Sequence, residues 1–437
     1  MEKPSNNIRI HHARILSMEK ETSDRISDLT VSTGEIHICN DKITYVGDSQ
    51  SAPSADWDLE IDADGNIIMP GFKNAHTHSG MTFLRSYADD LPLHNWLYDK
   101  VFPLEALLTP EDIYWCSRLA IMEYLTSGIT ANFDMYQKTD SIVRASIDSG
   151  YRTVLCGSVN NFVSSVEELE QHYLRYNNYH PLISSQLGFH AEYTTGEEIL
   201  QGIADLSHKY KAPVYTHNSE TASEVADCIK RTGYTPTVYM ERLGLWDHGG
   251  GGFHCVHMTE EDLDIYKEKG LWVVTNPSSN LKLASGIAPL THMLDKGISL
   301  AMGTDGPASN NCLDMFREMF LTTALQKVTD QDASAMDANI VLHMAASGGA
   351  PAMCLPDCAC LAPGRQADLI MLDIHQPNMQ PVNDITKNIV YSGSKQNVLM
   401  TMVAGNILYE NGEFKIGEDP ERISAKVNET IHRITRA

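Results

Sequence analysis

The chain reads as an α/β protein: a (β/α)8 TIM barrel with a small β-sandwich domain formed by its N- and C-terminal segments. Three observations predict this. Eight short apolar runs alternate with longer amphipathic segments between residue 67 and about residue 350. Strand-and-turn texture flanks that region on both sides. Histidines and acids recur where the apolar runs end, the rim on which a barrel collects its active site.

Residues 1–66 form the first part of the sandwich. There "IRIHHARILSM", "EIHICNDKITYVGD" and "DLEIDADGNIIMPG" place apolar residues between Asn-Asp, Asp-Gly and Gly turn signals. Residues 67–358 form the barrel, whose runs are "NIIMPGFKNAH", "GITANFDMY", "RTVLCGSV", "ISSQLGFHAEY", "PVYTHNSE", "GGFHCVHM", "LWVVTNPSSN" and "ISLAMGTDG". Separators such as "TPEDIYWCSRLAIMEYLTSG", "TEEDLDIYKEKG" and "LDMFREMFLTTALQKV" have helical spacing and Thr or Asp starts. Residues 359–437 supply the second part of the sandwich, with a hairpin at Gly405-Asn406, and then a C-terminal helix. A doubly wound open sheet is the alternative, but no G-x-G-x-x-G follows the first strand.

Composition narrows the function. At 437 residues and 42% hydrophobic, the chain can bury a large core. A formal net charge of −24 opposes nucleic acid and anionic membrane as partners, leaving a small neutral or cationic molecule. The start "MEKPSNNIRIHHARIL" has no signal-type apolar region, no run reaches membrane-span length, and nine scattered cysteines suit a reducing cytoplasm. "CLPDCAC" (Cys354, Cys358, Cys360) reads as a thiol-containing turn. A homo-oligomer is the expected assembly.

The polar residues carry the chemistry. In "GFKNAHTHSG", His76 and His78 stand at i and i+2 of an extended run, so both imidazoles face one point, as a metal ion requires. With eighteen histidines chance pairs occur, and His11–His12 reads as one. Further strand ends carry His190, then His217 and Glu220, then His254 and His257, then Asp305. Together on one rim they read as a metal site rather than as separate core histidines and helix caps.

The stretches "PGFKNAHTHSGMTFLRSYADDLPLHNWL", "THNSET", "HCVHM", "NPSSNLKLASGIAPL" and "GTDGPASNN" resemble the amidohydrolase superfamily, and within it the 5-methylthioadenosine/S-adenosylhomocysteine deaminases. The resemblance runs from about residue 8 to 415 and implies one zinc ion, with iron or manganese as alternatives, held by His76, His78, His217 and Asp305. It makes Glu220 the acid/base, with His254 and Asp305 assisting, and gives His257 no assigned role. It implies that Glu105 accepts from ribose hydroxyls, that His190 contacts the purine and that Trp96 packs against the 5′ substituent.

The expected reaction is hydrolytic deamination of an adenosine-type nucleoside: 5′-methylthioadenosine, S-adenosylhomocysteine, 5′-deoxyadenosine or adenosine. A metal with such ligands lowers the pKa of a bound water, and Glu220 shuttles a proton to the ring nitrogen beside the attacked carbon. Neither "RTVLCGSV" nor "ISSQLGFHAEY" holds the lysine that bridges two metals in binuclear members. The arginine expected after the third strand to pair a homocysteine carboxylate is also absent, with Gly157 near its place. The alternative is a deaminase or chlorohydrolase for a free base such as guanine or an s-triazine, which would leave Glu105 without a ribose. A catalytically silent scaffold would need neither the ligand set nor Glu220. The segment 79–103 is the expected lid.

Overall fold

The computed structural model describes residues 6–19, 29–91 and 95–436. Its barrel strands are β1 (Phe72–Thr77), β2 (Ile129–Asp134), β3 (Arg152–Cys156), β4 (Ile183–Ala191), β5 (Val214–Asn218), β6 (Gly250–His254), β7 (Trp272–Thr275) and β8 (Ser299–Met302). Each pairs in parallel with the next in sequence. Just past β8, Asp305 N–H donates to His76 O at 3.0 Å, drawing the last strand's exit against the first. All residues of β1, β2, β3, β5 and β6 are buried, because helices cover the outside and side chains such as Phe133, Tyr215, Phe253 and Val274 fill the inside.

The separators are helices with the starts their sequences announce. Thr109 caps Pro110–Thr126 and Thr259 caps Glu260–Lys269, each in a capping box, while the Asp314 side chain caps Met315–Asp330.

The run "NIIMPGFKNAH" feeds two sheets. Ile67–Pro70 pairs antiparallel with Leu369–Leu372 outside the barrel, and only Phe72–Thr77 enters it. Gly71 makes the join: a Cβ there would sit 2.1 Å from the Thr130 side chain. The terminal segments build one nine-stranded mixed sheet. It curls over itself, for Ile43 and Ala367 exchange backbone bonds with Arg365 and Asp41, and Ile10, Ile36, Ile43, Leu369 and Met402 share a core. The Val398–Val403 and Asn406–Glu410 strands turn through Ala404 and Gly405, both at positive φ as a tight hairpin needs.

Buried charge joins the two parts. Arg152 on β3 donates to both carboxylate oxygens of Asp368, at 2.6 and 3.1 Å, and Ala404 N–H adds a third bond to Asp368. The C-terminal helix Pro420–Thr435 lies on Pro110–Thr126, with Thr430 and Arg433 both donating to Asp112. Cys354, Cys358 and Cys360 surround the short turn Pro356–Cys358, and all nine cysteines carry free thiols.

Candidate metal centre and active site

The strand ends converge. His76 is wholly buried on β1, stacked 3.8 Å above the Phe253 ring. His78 stands one residue beyond the strand and donates from Nδ1 to Met135 O at 2.5 Å. His217 on β5 donates from Nδ1 to His190 O at 2.5 Å, and His254 at the end of β6 pairs its Nδ1 with Asn280 Oδ1 at 2.7 Å. A carbonyl oxygen can only accept, so His78, His217 and His254 each donate from Nδ1, which leaves Nε2 as the nitrogen that faces the centre. His254 and Asp305 sit at φ of 71° and 58°, left-handed turns that bend the chain away as each strand stops.

Ligand atoms of His76, His217, His254 and Asp305 all lie within 4.8 Å of one another. His78 joins through the carboxylate, its Nε2 being 3.1 Å from Asp305 Oδ1, with His76 Nε2 3.4 Å from the same oxygen. Thus His254, read from the sequence as an assisting base, stands as close to the centre as the expected ligands do.

The donor set fits a divalent cation. Neither ring nitrogen of buried His76 has a hydrogen-bond partner, which costs about 1–3 kcal/mol per group unless something else satisfies it. Burial holds the His76 imidazolium down to about 3 and His217 well below its ordinary range. Burial pushes Asp305 up, yet His76 and His78 overcome this and keep it well below the usual carboxylate range. For His78, burial lowers the value, but Asp305 more than offsets it. Neutral imidazoles at His76 and His217 beside an ionised carboxylate are the protonation states in which these groups bind metal. Ser279 and Ser309 donate to Asp305 Oδ2 at 2.6 and 3.0 Å, fixing its orientation.

Above the cluster opens a cavity of about 550 Å³. Glu220 lies on its floor, with Oε2 3.8 Å from His254 Nε2 and Oε1 accepting from Ser285 Oγ at 3.2 Å. Burial raises its pKa. Glu105, His190 and Trp96 line the same cavity, so all three residues expected at the substrate meet there. Glu105 also accepts from Tyr136 OH at 2.5 Å. His257 points away and pairs through Nε2 with Ser285 O, bracing the segment that orients Glu220.

Sequence reasoning passed over Tyr136, Ser279, Asn280, Ser285 and Glu224. Ser279, Asn280 and Ser285 sit in "NPSSNLKLASG", whose position after a barrel strand was the available signal. Among the described residues, no lysine or arginine lines the cavity. Gly157 explains why none stands at its position: a Cβ there would lie 2.5 Å from Gly188 O.

The amidohydrolase family profile matches residues 67–408. The chain belongs to the amidohydrolase family. This amidohydrolase is 41% identical over 390 residues to the 5-methylthioadenosine/S-adenosylhomocysteine deaminase of Syntrophomonas wolfei, covering 88% of this chain and 90% of that protein. It is 40% identical over 416 residues to the Moorella thermoacetica protein of the same name, covering 93% and 97%. Its fold matches the crystal structure of an adenosine deaminase from Xanthomonas campestris with bound zinc, at a TM-score of 0.92 and 30% identity over 99% of each chain.

Proposed function

We propose that this amidohydrolase deaminates an adenosine-type nucleoside hydrolytically, giving the inosine analogue and ammonia. One observation carries the reading: the Glu220 carboxyl stands on the cavity floor beside His254 and Asp305, with Glu105 on the wall. The relatives named 5-methylthioadenosine/S-adenosylhomocysteine deaminase and the zinc-bound adenosine deaminase support it. His76, His78, His217 and Asp305 would hold zinc, with His254 near enough to contribute. When bound, the ion supplies a water of lowered pKa and a positive charge opposite the developing negative one.

The chain's own residues do the rest. Glu220, its proton affinity raised by burial, delivers a proton to the ring nitrogen next to the amine-bearing carbon. Ser285 fixes the carboxyl's orientation. Asp305 and His254 hold the proton removed from water and return it to the departing ammonia. Water's oxygen stays on the ring carbon, its second proton passes to Glu220 and restores the carboxyl, and the C–N bond breaks. Glu105 accepts from the ribose hydroxyls, His190 meets the purine and Trp96 packs on the 5′ substituent.

A cavity with no lysine or arginine among its described lining residues favours a neutral 5′ group, so 5′-methylthioadenosine, 5′-deoxyadenosine and adenosine rank above S-adenosylhomocysteine. Nine free thiols fit a cytoplasmic setting, and among the described residues no helix is long and apolar enough to cross a membrane.

Ammonia release from zinc-loaded protein tests the proposal, with these four nucleosides, guanine and cytosine as substrates and Glu220→Gln as control. Turnover of the adenosines that vanishes in the control supports it. Turnover of the free bases alone would replace it with the free-base reading.

A further inference from the structure

His11 and His12 look like chance neighbours in the sequence, yet the fold assembles them. They lie in the strand Asn7–Ile15, where regular pleating sends consecutive side chains to opposite faces. Register with Ser32–Cys39 shifts between Ile10 and Ala13, and His12 takes a φ of 52°. This bulge turns both imidazoles towards Asp62, the last residue of the strand Leu59–Asp62, which pairs alongside His11. The backbone locks the arrangement. Ala63 N–H donates to His11 O at 2.9 Å, and Gly65 N–H donates to His12 O at 2.8 Å.

Three atoms face one another there. His12 Nδ1 is 3.1 Å from His11 Nδ1 and 3.0 Å from Asp62 Oδ1, and His11 Nδ1 is 3.9 Å from that same oxygen. A ring nitrogen offers one in-plane position, either an N–H or a lone pair. His12 Nδ1 can therefore satisfy His11 or Asp62, but not both. A cation among the three satisfies all of them. Ligands about 2.0–2.1 Å from a tetrahedral zinc stand about 3.3–3.4 Å from each other, and the observed separations bracket that value. His12 and Asp62 are 71% and 56% exposed, so solvent completes the coordination.

We propose that His11, His12 and Asp62 form a second, surface site for a divalent transition-metal ion such as zinc, clamping the bulge to the turn that follows Asp62. The test uses the full chain, stripped with a chelator and dialysed against zinc, and counts metal per chain by atomic absorption. Wild type should hold two ions, His12→Ala one, His217→Ala one, and the double variant none. Zinc should also raise the melting temperature of His217→Ala but not of the double variant. His12 is too exposed for its replacement to unfold the protein. Equal zinc in wild type and His12→Ala overturns the second site. An ion lost in His12→Ala but none lost in His217→Ala upholds it, and overturns only the place of His217 among the active-site ligands.

Discussion

Glu224 grips the backbone of Glu220. Its Oε2 accepts the N–H of Glu220 at 2.8 Å and of Thr221 at 3.3 Å, and its Oε1 accepts the N–H of Ser219 at 3.0 Å. The proposed proton carrier is thus aimed by a second buried carboxylate four residues on, which also completes the capping box of the helix Ala222–Thr232. Glutamine has one acceptor oxygen and would turn an NH2 towards N–H donors. Glu224→Gln should lower kcat by roughly 10- to 100-fold with zinc content unchanged. Steady-state kinetics with metal analysis checks this, and an unaltered kcat would leave Glu224 as a helix cap alone.

Glu220→Gln should cut kcat by about 10²–10⁴-fold, the range of a single general acid/base. The amide keeps the shape, and Glu220 lies outside the mutual ligand cluster. Metal content should therefore stay at the wild-type level while ammonia release falls. Metal loss in this variant would make Glu220 a ligand instead.

Glu105 should separate binding from chemistry. Glu105→Ala removes the proposed ribose acceptor and frees Tyr136 OH, so KM for 5′-methylthioadenosine should rise with a smaller change in kcat. S-adenosylhomocysteine should show the poorer kcat/KM. Lys138 lines only a smaller adjoining cavity, so Lys138→Ala should leave 5′-methylthioadenosine turnover unchanged.

The buried histidines should contribute acid sensitivity to the metal-free protein. Burial lowers His190 from 6.5 to about 4, and His76 to about 3. As pH falls from about 6.5 towards 4, the unfolded chain takes up protons that the folded state refuses, so their contribution to stability drops through that window. Above 6.5 this contribution is complete. Burial raises Glu224 and Glu318 to about 7, which adds stability as pH falls from about 7 to 4.5 and opposes the histidines. The check therefore compares chelator-treated wild type with His190→Asn. The variant should lose less melting temperature between 6.5 and 4, and identical profiles would contradict the buried neutral His190.

The Arg152–Asp368 pair should matter to the whole molecule, because it ties β3 to the terminal sheet in a buried setting. Arg152→Ala leaves Asp368 as a buried, half-satisfied carboxylate and should cost about 3–5 kcal/mol. Denaturant unfolding measures the loss.

The barrel was legible because its strands pair in sequence order, so a list of apolar runs is also the sheet order. The rim was legible for the same reason: His76, His217, His254 and Asp305 each stand at a run's end. Elsewhere local pattern fell short. One run held both Ile67–Pro70 and Phe72–Thr77, and the partner that separates them, Leu369–Leu372, comes far later in the chain.

By itself, then, the sequence determined the eight-unit barrel, the family resemblance and the residues that reach the rim, since period, helix caps and strand order are local properties. Only the tertiary structure decided which ring nitrogens face inward, that Ser285 and Glu224 brace Glu220, and that a bulge brings His11 and His12 onto Asp62. Hydrogen-bond direction, burial and backbone register depend on neighbours distant in the chain, and local spacing carries no record of them.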